Sequence, residues 1–172
     1  IRSEHVYCQK VKLYYRNVSC QMRIPLPLCA LLPEAIASVK KLAALQSIPL
    51  PEDDLLRSIL SVGPECRDLN EYLEKFDFPL TLLQTREGIR TAVYLLEQEL
   101  QNQGMLYAEI RFAPQLHMQN GLTQREVVEA AIEGLQQSDF HSNLILCCMR
   151  GDQNHEENIE TIFKRIGGKY VY

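Results

Sequence analysis

The stretch "MLYAEIRFAP", residues 105–114, decides the fold class of this 172-residue chain. Polar and apolar side chains alternate along it, which is the two-residue period of a β-strand. One face holds Tyr107, Glu109 and Arg111, and the other holds Ala108, Ile110 and Phe112. Pro114 predicts the end of the strand, because proline has no N–H group to give to a neighbouring strand.

Helical patterns stand on both sides of this strand. Residues 86–103 place apolar side chains on one helical face, and Gly104 is suited to end that helix. The residues "TQRE", 123–126, form a capping box that opens the next helix. A second apolar strand, "SNLILCCMR", follows at residues 142–150. This alternation, with both strands expected to be buried on both faces, predicts parallel βα units of an α/β fold, either doubly wound or a barrel.

Further helices are predicted before and after this region. One runs from Pro33 to Ser47 and another from Glu52 to Leu60. Asp68 is placed to cap a short helix, and a last helix covers residues 154–166. The short helix carries one apolar stripe, formed by Leu69, Tyr72, Leu73 and Phe76.

Composition limits the kinds of partner. The net charge is −4, from 18 Lys and Arg against 22 Asp and Glu, so nothing draws nucleic acid electrostatically. We find no run of residues long and apolar enough to span a bilayer, and no membrane partner is predicted. The six cysteines contain no C-x-x-C pair, which indicates free thiols rather than a disulfide framework. The expected location is therefore the cytoplasm.

Two histidines lie just after the strands, where βα folds place their working side chains. His117 follows the first strand and His155 follows the second. Neither has a second ligand at metal-binding spacing, so we expect both side chains to be solvated. Cys147 lies within the second strand pattern with no base beside it, so we expect an inert thiol.

Glu109 and Arg111 point to the same side of their strand. For such a pair inside a barrel, a buried salt bridge is favoured over a catalytic role. Phosphate-binding loops and the α/β-hydrolase nucleophile elbow are excluded, because G-x-x-x-x-G-K-[ST], G-x-G-x-x-G and G-x-S-x-G do not occur.

The stretch "RIPLPLCALLPEAI", residues 23–36, begins like a strand but carries prolines at 25 and 27. Two interpretations follow: a strand that has lost something, or a polyproline ligand for an aromatic groove. The P-x-P spacing is shorter than the P-x-x-P spacing of such ligands, which disfavours the second interpretation.

Four segments, in order along the chain, resemble the adenosine deaminase family: "YLEKFDFPLTLLQT", "YAEIRFAPQLH", "GLTQREVVEAAIEGL" and "LILCCMR…EENIETI". The resemblance implies the amino-terminal portion of a (β/α)8 TIM-type barrel, about three βα units with a helical insertion after the first strand. It assigns residues 22–172 to a truncated barrel domain and leaves residues 1–21 as an unmatched, poorly ordered extension. Members of the family hydrolyse adenosine or 2′-deoxyadenosine to inosine or 2′-deoxyinosine and ammonia.

The resemblance also implies zinc, because the family's first-strand motif H-x-H-x-D-G supplies two histidine ligands. Pro25 and Pro27 stand at the histidine positions, Cys29 at the aspartate and Ala30 at the glycine. Proline cannot ligate a metal ion, and the family's H-A-G-E motif does not occur in the chain. We therefore expect no bound zinc, no catalytic residue and no activity of this chain alone.

What the resemblance retains is part of a substrate pocket for a purine nucleoside. The stripe Leu69, Tyr72, Leu73 and Phe76 matches the family's helix that covers the nucleoside, and Ala113 and Leu116 match lining positions more weakly. The same stripe is equally an ordinary core face. As an alternative function, the chain is a non-catalytic fragment that self-associates, or binds a partner, through uncovered strand edges.

Overall fold

A computed structural model describes residues 12–15, 18–20, 35–61 and 66–147. Its helices are α1 Ala35–Leu45, α2 Asp53–Leu60, α3 Leu69–Glu74, α4 Asp77–Thr81, α5 Arg86–Asn102 and α6 Gln124–Leu135. Its strands are β1 Lys12–Tyr15, β2 Val18–Cys20, β3 Tyr107–Phe112 and β4 Ser142–Leu146. The prolines at 25 and 27 and the helix predicted at 154–166 lie outside the described residues.

The four strands form one mixed sheet in the order β2-β1-β3-β4. Strands β3 and β4 are parallel, with Ala108 opposite Ser142 and Phe112 opposite Leu146. Helix α6 connects them, so the predicted parallel βα unit is confirmed. On its other side β3 pairs with β1, which runs antiparallel.

Both β1 and β2 lie within residues 1–21, which are predicted to be an unmatched extension. They pair with each other, and β1 also pairs with Tyr107–Glu109 at the beginning of β3. Such pairing satisfies backbone groups that an open edge would leave without partners. The division of the chain at residue 21 stays a prediction.

The apolar face of β3 forms part of the hydrophobic core. Ala108, Ile110 and Phe112 are completely buried, whereas the polar face of the strand is half-buried. Leu96 and Leu100 of α5 belong to the same core. The expectation that both strands are buried on both faces is wrong: all residues of β4 are half-buried, because β4 is the last strand of the described sheet.

The local signals for helix ends are mostly confirmed. Thr123 caps α6 in the predicted capping box, and Asp68 Oδ1 accepts the Glu71 N–H at 3.0 Å at the start of α3. Gly104 follows α5 with a φ of 76°, a backbone conformation that favours glycine. The sequence patterns do not predict helix α4. Pro79 is compatible with it, because an N–H group at the third position of a helix has no partner within the helix.

Helices α5 and α6 pack closely at a glycine. A Cβ atom on Gly134 of α6 would lie 2.6 Å from the carbonyl oxygen of Arg90 and 2.8 Å from Cβ of Val93. This position therefore has no room for a side chain. None of the helices in the described ranges is both long and apolar enough to cross a membrane.

Candidate functional site

The carboxyl end of β3 leads directly into the first group of predicted site residues. Ala113 is fully buried and precedes a 3₁₀ turn at Pro114–His117. The Leu116 N–H donates to the Ala113 carbonyl oxygen at 3.1 Å, which folds the turn back onto the strand end. The structure therefore brings Ala113 and Leu116 together, as their shared position after the strand predicts.

The second group of predicted site residues lies on α3 and the turn after it. Tyr72 and Phe76 make an edge-to-face ring contact, with centroids 5.2 Å apart and an interplanar angle of 85°. Phe76 also packs against the core, and Leu73 is half-buried. Leu69 begins α3, and its side chain is not among those described. Because α3 ends at Glu74, Phe76 lies beyond the helix rather than on its stripe.

Gln84 links α4, which follows the second group, to the turn that holds Leu116, and sequence reasoning missed it. Its side chain is buried, and Nε2 donates to the carbonyl oxygens of Leu80 and Leu116, at 2.9 Å each. Its Oε1 accepts the Gln119 N–H at 2.9 Å. Leu80 belongs to α4 and Leu116 to the 3₁₀ turn, so one carboxamide joins both segments. The available signal was a lone amide directly after the apolar pair of leucines in "TLLQT".

His117 is not solvated, contrary to expectation. Its side chain is 0 % exposed and packs edge-on against Phe112, with ring centroids 5.8 Å apart. Nδ1 lies 3.1 Å from the Leu83 carbonyl oxygen, which can only accept, so Nδ1 carries the proton. Burial lowers the pKa of His117 to about 4, and the hydrogen bond to Leu83 offsets only part of that shift. The ring is therefore neutral at physiological pH.

The predicted salt bridge between Glu109 and Arg111 is absent from the described part of the chain. Glu109 instead accepts a hydrogen bond from the Tyr107 hydroxyl at 3.3 Å. That hydroxyl accepts one from Asn143 Nδ2 at 2.8 Å, across the parallel pair of strands. Nε of Arg111 is buried and has no hydrogen-bond partner. Alternate residues of a strand share a face but need not meet, and Tyr107 competes for the carboxylate.

A buried carboxylate lies at the opposite end of the strands. Glu97 of α5 is 0 % exposed and accepts a hydrogen bond from the Ser142 hydroxyl, at the start of β4. Burial raises the pKa of Glu97 to about 7, although hydrogen bonds from Ser142 and Ser138 act in the opposite direction. Because active sites of βα barrels lie at the carboxyl ends of strands, this position favours a role in stability.

The next features are the position of Cys147 and the groups of side chains that could bind a metal ion. Cys147 lies just after β4 rather than within it, and its side chain is half-buried. Its N–H donates to the Phe112 carbonyl oxygen at 2.9 Å. Among the described residues, no group of three or more His, Cys, Asp or Glu side chains could hold a metal ion. His155 lies outside that part of the chain.

Comparison with known proteins settles the family. A sequence profile described as "Adenosine deaminase" matches residues 30–171, most of the chain. The chain belongs to the adenosine deaminase family. Its match begins after Pro25 and Pro27, so neither proline lies in the matched region.

Two relatives give the extent of the similarity. An adenosine deaminase from Haemophilus ducreyi is 50% identical over 121 residues, covering 67% of this chain and 35% of that protein. One from Enterococcus faecalis is 44% identical over 130 residues, covering 73% and 38%. The chain thus spans little more than a third of the length of these curated relatives.

A solved structure confirms the fold class. The crystal structure of an adenine deaminase from Arthrobacter aurescens superposes with a TM-score of 0.55, over 72% of this chain and 36% of that chain, at 24% identity. At this identity the likeness concerns the fold alone. The chain forms part of a (β/α)8 barrel, with β3, α6 and β4 as its clearest unit.

Proposed function

We propose that this chain forms the wall that covers a purine nucleoside in an adenosine deaminase barrel. The nucleoside wall is defined here as Leu69, Tyr72, Leu73, Phe76, Ala113 and Leu116. One observation carries the proposal: Gln84 hydrogen-bonds both Leu80 of α4, the helix that follows Phe76, and Leu116 at the carboxyl end of β3, which lies 32 positions from Gln84 along the chain. We propose adenosine or 2′-deoxyadenosine as the substrate class, on the basis of the family.

Aromatic and aliphatic side chains suit this task. Tyr72 and Phe76 present ring surface on which a purine base can stack, and Leu73 and Leu116 supply flat apolar contact. All four are half-buried, which leaves part of each side chain available to a ligand.

Binding is tested by saturation-transfer difference NMR, with adenosine as the probe and cytidine as the control. We expect transfer to the purine protons of adenosine and weaker transfer to cytidine. Tyr72→Leu should reduce the adenosine signal, whereas Tyr94→Leu, a matched change in α5, should leave it unchanged. Equal signals from both variants, or none from the wild type, would overturn the proposal.

We also propose that the chain as it stands does not deaminate adenosine. In the family, zinc supplies an activated water for attack on the purine ring. The described residues do not fit zinc, since they hold no cluster of suitable ligands, and Pro25 and Pro27 offer no electron pair to a metal ion. The test is incubation with adenosine and zinc, followed by chromatography. Zinc-dependent inosine formation that co-purifies with the chain would contradict the proposal.

A second candidate function is self-association through the surface between α6 and β4. It is favoured by a cavity of about 210 Å³ between α6 and β4, whose apolar lining is half-exposed at Ile132, Leu135, Leu144 and Leu146. Size-exclusion chromatography with light scattering tests it. Leu135→Lys should then convert oligomers to monomers, while Leu55→Lys, at an exposed leucine of α2, should not. A monomeric wild type would exclude this function.

The proposed location is the cytoplasm. Cys66 is a free thiol, as is usual for proteins in a reducing compartment.

A further inference from the structure

We propose that Gln84 is a positioning residue for the nucleoside wall, holding α4 and the loop after β3 at a fixed separation. This inference rests on the proposed function, because it concerns the same wall. It assigns the role to a side chain that acts through the backbone of other residues.

The connection between the two sides of the wall consists of successive hydrogen bonds. Phe76 immediately precedes α4, and its carbonyl oxygen accepts the Leu80 N–H at 2.9 Å. The Leu80 carbonyl oxygen accepts from Gln84, which also donates to the Leu116 carbonyl oxygen. Leu116 in turn donates its N–H to Ala113. Phe76 on one side of the wall, and Ala113 and Leu116 on the other, are thus connected to Gln84 by one or two hydrogen bonds.

A carboxamide is suited to this position because it both donates and accepts. Its two N–H groups reach two carbonyl oxygens, and its oxygen receives the Gln119 N–H. Gln84 is only 3% exposed, so water cannot readily replace a lost partner. Each bond therefore counts for more than a surface hydrogen bond would.

Two substitutions separate hydrogen bonding from packing. Gln84→Met keeps the length and volume of the side chain but removes all three hydrogen bonds. Gln84→Glu keeps an acceptor for Gln119 but offers at most one O–H donor, in its protonated form, to the two carbonyl oxygens. Gln137→Met is the matched control, because Gln137 is exposed and lies beyond the end of α6.

The full chain is examined by two measurements, amide hydrogen exchange and adenosine affinity by NMR titration. For Gln84→Met we expect faster exchange in residues 80–84 and 113–119 and unchanged exchange in α6. Adenosine affinity should fall about tenfold, the change expected for one or two lost hydrogen bonds. Gln84→Glu should speed exchange less at Gln119 than Gln84→Met does.

The outcomes distinguish this inference from the proposed function. Wild-type chain that binds no adenosine overturns the proposed function, and the nucleoside role of Gln84 with it. Normal adenosine binding by Gln84→Met overturns the positioning role alone. Faster exchange in α6 as well as in the loops would also overturn it, because general destabilisation would then explain any loss of affinity.

Discussion

Gln84 and His117 connect the same two segments by side-chain-to-backbone hydrogen bonds that run in opposite directions. Gln84, in the turn before α5, donates to the Leu116 carbonyl oxygen of the 3₁₀ turn at 2.9 Å. His117, in that 3₁₀ turn, donates to the Leu83 carbonyl oxygen beside Gln84 at 3.1 Å. Each segment thus contributes one buried side chain that satisfies the backbone of the other.

Replacing His117 with phenylalanine should destabilise the fold while keeping a ring of similar size. The Leu83 carbonyl oxygen would lose the His117 donor in a buried environment, which costs about 1 to 3 kcal/mol of unfolding free energy. Urea denaturation measures the change. His141→Phe is the control, because His141 is exposed. Equal stability of His117→Phe and wild type would contradict the expected role of the bond.

His117 should make the folded state less stable at low pH. Its pKa is about 4 when folded and 6.5 ordinarily, so the unfolded chain binds the proton more tightly. Stability is therefore lost as pH falls from about 6.5 to about 4. His117→Asn keeps a donor near the Nδ1 position and cannot titrate, so it should remove this slope. Denaturation curves across that pH range give the measurement. An unchanged slope in His117→Asn would contradict the assignment of the slope to His117.

Glu97 should have the opposite pH dependence. Its folded pKa of about 7 exceeds the ordinary 4.5, so the folded state holds the proton and stability falls as pH rises between those values. At neutral pH and above, the loss is on the order of 3 kcal/mol. Glu97→Gln should remove this fall and leave the rise from His117, so the variant becomes clearly more stable as pH increases from about 4 to 6.5. A falling profile in Glu97→Gln would contradict the assignment.

Between pH 4.5 and 6.5 the two effects oppose each other in the wild type. Together the two residues should make unfolding free energy nearly independent of pH in this range. Each single variant should show the slope that comes from the residue it retains. The double variant His117→Asn with Glu97→Gln should be flat again, which serves as the internal control.

Gly134→Ala should separate α5 from α6. The added Cβ would meet the Arg90 carbonyl oxygen at 2.6 Å, and backbone atoms cannot move aside cheaply. Overpacking of this kind costs about 1 to 3 kcal/mol. Gly104→Ala is the comparison: it meets nothing within 4 Å but strains a positive φ, at about 1 kcal/mol. Thermal unfolding should show the larger fall for Gly134→Ala, and the reverse order would refute the packing explanation.

Thr123→Ala should weaken the start of α6. It removes the acceptor for the Glu126 N–H and the donor to the Glu126 carboxylate, at a cost of about 1 kcal/mol. Thr81→Ala provides a threonine control, since Thr81 is exposed at the end of α4. A change in stability no larger than that of Thr81→Ala would show that the capping box contributes little.

Features set by neighbouring residues could be predicted from the sequence. The alternation in β3, the capping box at Thr123 and the cap at Asp68 depend on residues within one or two turns of each other. In each case the signal and the structure occupy the same short stretch.

The rest depends on contacts between distant residues. The burial of His117 follows from Leu83, 34 positions away, and the bridge made by Gln84 spans 32 positions. A histidine after a strand is usually solvated, and only the neighbouring turn makes this one a core residue. The missing ion pair of Arg111 has the same origin: the Tyr107 hydroxyl, which accepts a hydrogen bond from the distant Asn143, donates to the Glu109 carboxylate that the pattern offered to Arg111.

The antiparallel β1 changes what closing the barrel would require. It pairs with Tyr107–Glu109 on the side of β3 where a parallel first strand would lie. One edge accepts one strand along any given stretch, so any further strand on that side would compete with β1 for the amides and carbonyls of Tyr107–Glu109. Completing a barrel on that side is therefore a strand exchange, in which one pairing must break before the other can form.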